Sequence, residues 1–185
     1  MNSGLTVAFA MVLALPNAGA IASEASPYSG EEAREIKALS DPDISGLLAG
    51  KGMGYAKAAE LNGYPGPAHV LELAEELSLT ADQQAETQAI FDRMQASAKD
   101  LGAELVAAER ELDQAFKDKS IDESSLPELV REIGEIESRL RAVHLDAHLR
   151  QTGLLADHQI ARYKMLRGYQ HGGHGSHLKH QHGGL

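Results

Sequence analysis

Apolar residues recur in alternating steps of three and four along two long stretches of the chain. Phe91, Met94, Ala98, Leu101, Leu105, Ala108, Leu112 and Ala115 trace the first; Leu126, Leu129, Ile133, Ile136, Leu140, Val143 and Ala147 trace the second. That rhythm sets the side chains on one stripe, so each stretch predicts an amphipathic helix with a heptad seam. A polar turn over 117–122 separates them, and two seams joined so closely predict an antiparallel helical hairpin.

The starts of these helices are also written in the sequence. Thr80 and Gln83 form a T-x-x-Q capping box, and Ser125 with Glu128 forms a second box ahead of the other arm. Further upstream, Ser40-Asp41-Pro42-Asp43 combines a capping hydroxyl, a first-turn proline and acids at the positive end of the helix dipole. Gly63-Tyr64-Pro65-Gly66-Pro67 is the strongest breaker, followed by a short helix from Ala68 to about Leu77. A last helix is expected from about Leu155 to Tyr169, with Ile160, Tyr163 and Leu166 against the hairpin.

Gly46, Gly50, Gly54 and Ala58 fall at intervals of four and predict a smooth helical stripe suited to close helix packing. Lys51, Lys57 and Glu60 exclude a membrane-embedded version of that stripe, and AGKGMG lacks the spacing of a phosphate loop. A single hairpin buries one seam only, so the N-terminal helices, the last helix or a second subunit must cover its other faces.

The expected fold is therefore all-α: a long antiparallel helical hairpin with additional N-terminal helices and a short C-terminal helix. It divides into a signal peptide (1–22), an N-terminal helical segment ending in the breaker (23–66), a hairpin domain (67–169) and a flexible His/Gly-rich tail (170–185). Composition sharpens this picture. The chain has 185 residues, enough for one ordinary domain, and only 4% aromatics with no Trp, which favours Ala/Leu-packed helices over a sandwich or barrel. A net charge of −10 argues against a nucleic-acid partner. The absence of cysteine excludes disulfides, a thiol nucleophile and Cys-type zinc sites.

Leu5 to Leu15 is an apolar run of signal-peptide length, broken by Pro16-Asn17 and followed by small-x-small cleavage options in AGAIA. No Lys or Arg precedes the run, and an uncleaved membrane anchor is the competing reading. The run is short for a span, so export to the periplasm is the expectation, with no stable membrane span after cleavage.

Five of the nine histidines, His171, His174, His177, His180 and His182, lie in the Gly-rich C-terminal tail. Neutral imidazoles on such a segment suit Zn, Cu(II) or Ni, with little selectivity; a solvated tail or a purification tag is the bland alternative. His144 and His148 sit four apart on one face of the second arm, where they form either a chelating pair or a solvated flank. His158 lies near enough in sequence to join them if the last helix folds back, whereas His69 reads as structural. HExxH, GxSxG and any Glu-x-x-His pairing are absent, so neither an enzyme nor an organic cofactor is expected.

LTADQ at residues 79–83 and LADHQ at residues 155–159 each open a predicted helix, and together they resemble the paired LTxxQ signature of the Spy/CpxP family. That family includes ZraP-like and CnrX-like metal-associated relatives. The stretch LLAGKGMGYAKAAELNGYPGPAHVLELAEELSLTADQ is similar to a subgroup described as Spy/CpxP-like refolding chaperones, and the resemblance covers about residues 40 to 169. Leu79, Thr80, Gln83, Leu155 and Gln159 carry the motif, while Ala156 replaces the second Thr, leaving capping there to Asp157 or another group. The resemblance implies a cradle-like homodimer that shields partly unfolded envelope proteins without ATP, in envelope or metal stress; scaffolding with an inner-membrane sensor kinase is a separate alternative. A family member with a basic concave face would attract acidic clients; this chain is acidic overall, with Arg139, Arg141, Arg150 and Arg162 as the candidates for a local basic patch.

Overall fold

The computed structural model describes residues 26–169. The expected signal peptide and the five tail histidines lie outside these residues. Within them the chain is all-α and has no strands. After a 3-10 turn at Glu31–Ala33 come α1 (Asp41–Leu48), α2 (Lys57–Leu61), α3 (Pro67–Glu72), α4 (Ala81–Lys117), α5 (Leu126–Leu154) and α6 (Asp157–Leu166). No helix among the described residues is long and apolar enough to cross a membrane.

The 37 residues of α4 and 29 of α5 form the antiparallel hairpin. At 1.5 Å rise per residue the longer arm spans about 55 Å. Ala98, Leu101, Leu105 and Ala108 bury against Ile133, Ile136 and Leu140, as the heptads require. Towards the tip the seam loosens: Phe116, Leu126 and Val130 are exposed.

The N-terminal segment runs back along one side of α4. Ile36 and Leu47 join the hairpin core, the Lys37 N–H donates to Asp113 over 3.0 Å, and Arg110 pairs with Glu35 at 3.0 Å. Gly102 admits this approach, because a Cβ there would stand 2.2 Å from the Leu47 carbonyl oxygen. At the base, Val70, Leu77, Leu79, Leu155 and Tyr163 form a second core that docks α6 onto α3 and the start of α4.

Three sequence expectations need correction. The four-residue glycine stripe is not one helical face: α1 ends at Leu48, and Gly50 and Gly54 take positive φ angles of 65° and 84° in the turns that follow. Close packing survives at Gly50, whose Cβ would stand 2.8 Å from the Gln95 carbonyl oxygen. The second capping box does not form. Ser125 is helical at φ −84° and ψ −32°, and Glu128 pairs instead with Arg131. Asp122 takes over the cap: it accepts from the Ser124 and Ser125 N–H groups at 2.9 and 2.8 Å, and from both hydroxyls. Hydrogen bonds from Ser124 and Ser125 pull its carboxyl down to about 2. The short helix after the breaker is briefer than expected, ending at Glu72 before turns carry the chain to Ser78.

Candidate functional site

The two LTxxQ-like motifs meet at the base of the hairpin. Leu79 and Leu155 are both buried in the second core. Thr80 Oγ1 accepts from the Gln83 N–H at 3.1 Å and Gln83 Oε1 accepts from the Thr80 N–H at 3.1 Å, so the predicted box is complete. At the start of α6 only half of this exchange exists. Gln159 Oε1 accepts from the Ala156 N–H at 2.9 Å, but alanine offers no oxygen in return, and Asp157 makes no cap. The two glutamines then bond each other, Gln83 Nε2 to Gln159 Oε1 at 2.9 Å and Gln159 Nε2 to Gln83 Oε1 at 3.0 Å. Their amides also donate to the Leu154 and Leu77 carbonyls, satisfying chain ends that would otherwise be buried unpaired. The motif thus positions α4, α5 and α6 relative to one another.

This joint leaves the hairpin with two unlike faces. One carries the N-terminal layer. The other holds three adjoining depressions of about 290, 480 and 600 Å³ that share Ser97, Val143, Glu104 and Arg139 and so form one trough. Ile90, Leu101, Ile136 and Ala147 lie buried beneath it, and half-buried Met94 and Val143 with exposed Ala107 and Ala142 contribute its apolar surface. Along its rims Arg139 pairs with Glu104 at 3.0 Å and Arg150 with Asp146 at 2.6 Å, all of them well exposed. Exposed pairs of this kind contribute only about 0–1 kcal/mol each, so they exchange partners readily.

The four candidate arginines do not make one basic patch. Arg139 and Arg150 flank the trough next to acids, Arg141 lines a depression on the opposite side beside Met53 and Tyr55, and Arg162 is exposed on α6. A surface of alternating sign is what an acidic chain with paired arginines produces.

His144 and His148 are buried, which removes the solvated-flank reading. His144 stacks on Tyr55 with ring centroids 5.9 Å apart and planes within 3°, and its Nε2 has no hydrogen-bond partner. Burial, reinforced by neighbouring His148, pushes the His144 imidazole below its ordinary value. His148 Nδ1 lies 2.8 Å from the Tyr64 carbonyl oxygen, which only accepts, so the proton sits on Nδ1 and donates to it. Sequence reasoning missed these partners because they come from Tyr55 to Tyr64, some eighty residues upstream.

Glu60 anchors the neighbouring polar cluster. Its Oε1 accepts from the Tyr163 and Tyr169 hydroxyls at 2.6 and 2.9 Å, and its Oε2 stands 3.8 Å from His148 Nδ1. Burial and this carboxylate push the Tyr163 phenol up. His69 belongs to the same cluster, 3.7 Å from Glu60 Oε1. His158 is exposed in the first turn of α6, and among the described residues no three His, Cys, Asp or Glu side chains converge to hold a metal ion. No protein-family model, curated protein or solved structure matches the chain.

Proposed function

We propose that this is an exported, ATP-independent chaperone-like stress protein of the Spy/CpxP type that holds partly unfolded clients on the open face of the α4–α5 hairpin. The supporting observation is the trough, where small and half-buried apolar side chains (Met94, Ala107, Ala142, Val143) alternate with exchangeable Arg–Glu and Arg–Asp pairs along the hairpin. An unfolded segment presents the same mixture. Its apolar side chains gain about 25 cal/mol per Å² by leaving water, while its charges substitute for one partner of a rim pair at little cost. Nothing in this binding requires nucleotide, and release follows when the client folds and withdraws its apolar groups. A homodimer would lengthen such a surface, and a sensor kinase would be a further partner of the same face. The test is an aggregating client mixed with stoichiometric protein and no nucleotide: aggregation should be suppressed, and no suppression at that ratio rejects the proposal.

A second reading, a periplasmic metal buffer or sensor accessory, is carried by His171, His174, His177, His180 and His182. Titrating Zn²⁺, Cu²⁺ and Ni²⁺ into the full chain and a truncation ending at Gly168 separates the two roles. Binding should vanish with the tail; tight binding that survives truncation would reject a tail-borne buffer.

A further inference from the structure

On the opposite side of the hairpin from the trough lies a cavity of about 310 Å³, bounded by the 49–52 turn, the start of α3, and the facing sides of α4 and α5. Its volume is at the low end of small-molecule pockets, which run about 300–1,000 Å³. Phe91, Met94, Ala56 and Pro67 give it apolar walls, and His69, His144 and His148 supply its imidazoles. His144 is 2% exposed, and its partnerless Nε2 is closed off beneath the cavity wall, so this ring contributes mainly a packed aromatic face. His148, by donating from Nδ1 to Tyr64, keeps a bare lone pair on Nε2. Gly66 leaves that edge uncovered, since a Cβ there would stand 2.9 Å from His148 Nε2.

From this chemistry we infer that the cavity binds a small neutral aromatic alcohol, with phenol as the simplest member. A hydroxyl donates, so it suits the one fixed acceptor, His148 Nε2. An aromatic body suits Phe91 and the Met94 thioether, which favours ring contacts. Lys51 and Gln95 also line the cavity, and the Glu60 carboxylate held 3.8 Å from His148 is balanced by Arg167 at 3.4 Å, so no net charge of one sign dominates the site. The cavity shares Met94 with the trough, but His144 and His148 do not line the client surface, so the phenol preference and client binding can fail independently.

The test is calorimetric titration of the full chain with phenol and with toluene, which is nearly the same shape without the hydroxyl. Phenol should saturate one site at least tenfold more tightly than toluene, and should shift the Nε2 resonance of His148 in nitrogen-15 spectra. His148→Leu should reduce the phenol preference to parity while leaving toluene affinity within about threefold. Equal affinity for the two probes, no saturable binding at millimolar phenol, or an unmoved His148 resonance would each overturn the inference. The probe pair and the resonance are read on the unaltered protein, so both remain decisive even if the variant misfolds.

Discussion

Gly102 and Ala107 stand five residues apart on α4, yet the first is buried under the Leu47 carbonyl and the second faces the open trough. Both faces of the hairpin border the same heptad seam, so the seam alone does not decide which becomes covered. The flanks decide it. On the covered side Gly102 strips the helix to its backbone and Gly50 strips the turn that meets it, so another segment can come within van der Waals contact. On the open side the exposed Arg139–Glu104 and Arg150–Asp146 pairs stand at side-chain length beside half-buried Met94 and Val143, and no segment of the described residues covers them. A short residue in a heptad flank invites the chain's own segments, whereas a long charged one reserves the face for something else.

The largest effect should come from giving both positions the same side chain. Gly102→Leu should cost about 3 kcal/mol, because the new atoms meet backbone that cannot move aside without lifting α1. Ala107→Leu should change stability by no more than about 0.5 kcal/mol. Urea unfolding of the two variants reads the contrast, and equal costs would break it. Next comes the joint at the base on which both faces depend. Gln159→Leu leaves Gln83, the Ala156 N–H and the Leu77 carbonyl without their partner and should cost about 2 kcal/mol in the same assay.

In the histidine range a pH effect should belong to the covered side, the Asp122 cap at the tip losing its contribution only in the more acidic carboxylate range. His144 in the folded chain titrates below its ordinary 6.5, so as pH falls through that value the unfolded chain takes up a proton the folded chain refuses. Stability should therefore decline from about pH 7 downwards and level off below the folded value. His144→Phe should flatten the decline; unfolding midpoints measured across this range check it. The smallest expected change is a gain. Ala156→Thr supplies the missing acceptor for the first turn of α6 and should add about 0.5–1 kcal/mol, seen as a raised unfolding midpoint.

Much of this architecture was legible in local sequence. The heptads of α4 and α5, the Thr80–Gln83 box and the Ser40–Asp43 cap depend on residues a few positions apart, and each formed as expected. Where two local solutions competed, sequence favoured the wrong one. Asp122 displaces the Ser125–Glu128 box because its carboxylate satisfies two N–H groups and two hydroxyls at once. A spacing of four also cannot reveal whether a glycine continues a helix or turns it left-handed, as Gly50 and Gly54 do. The histidine pair was visible as a pair, but its burial depends on the remote segment from Tyr55 to Tyr64, which no periodicity in α5 announces.

The central claim, that the open face receives unfolded chains, is tested most directly by placing a photo-reactive residue at Ser97, in the trough, or at Lys57, on the opposite side. Each labelled protein is irradiated with a chemically unfolded client in the absence of nucleotide. Adducts should form from Ser97, disappear when the client is supplied folded, and be scarce from Lys57. Equal yields from the two positions, or adducts from Lys57 alone, would contradict the account.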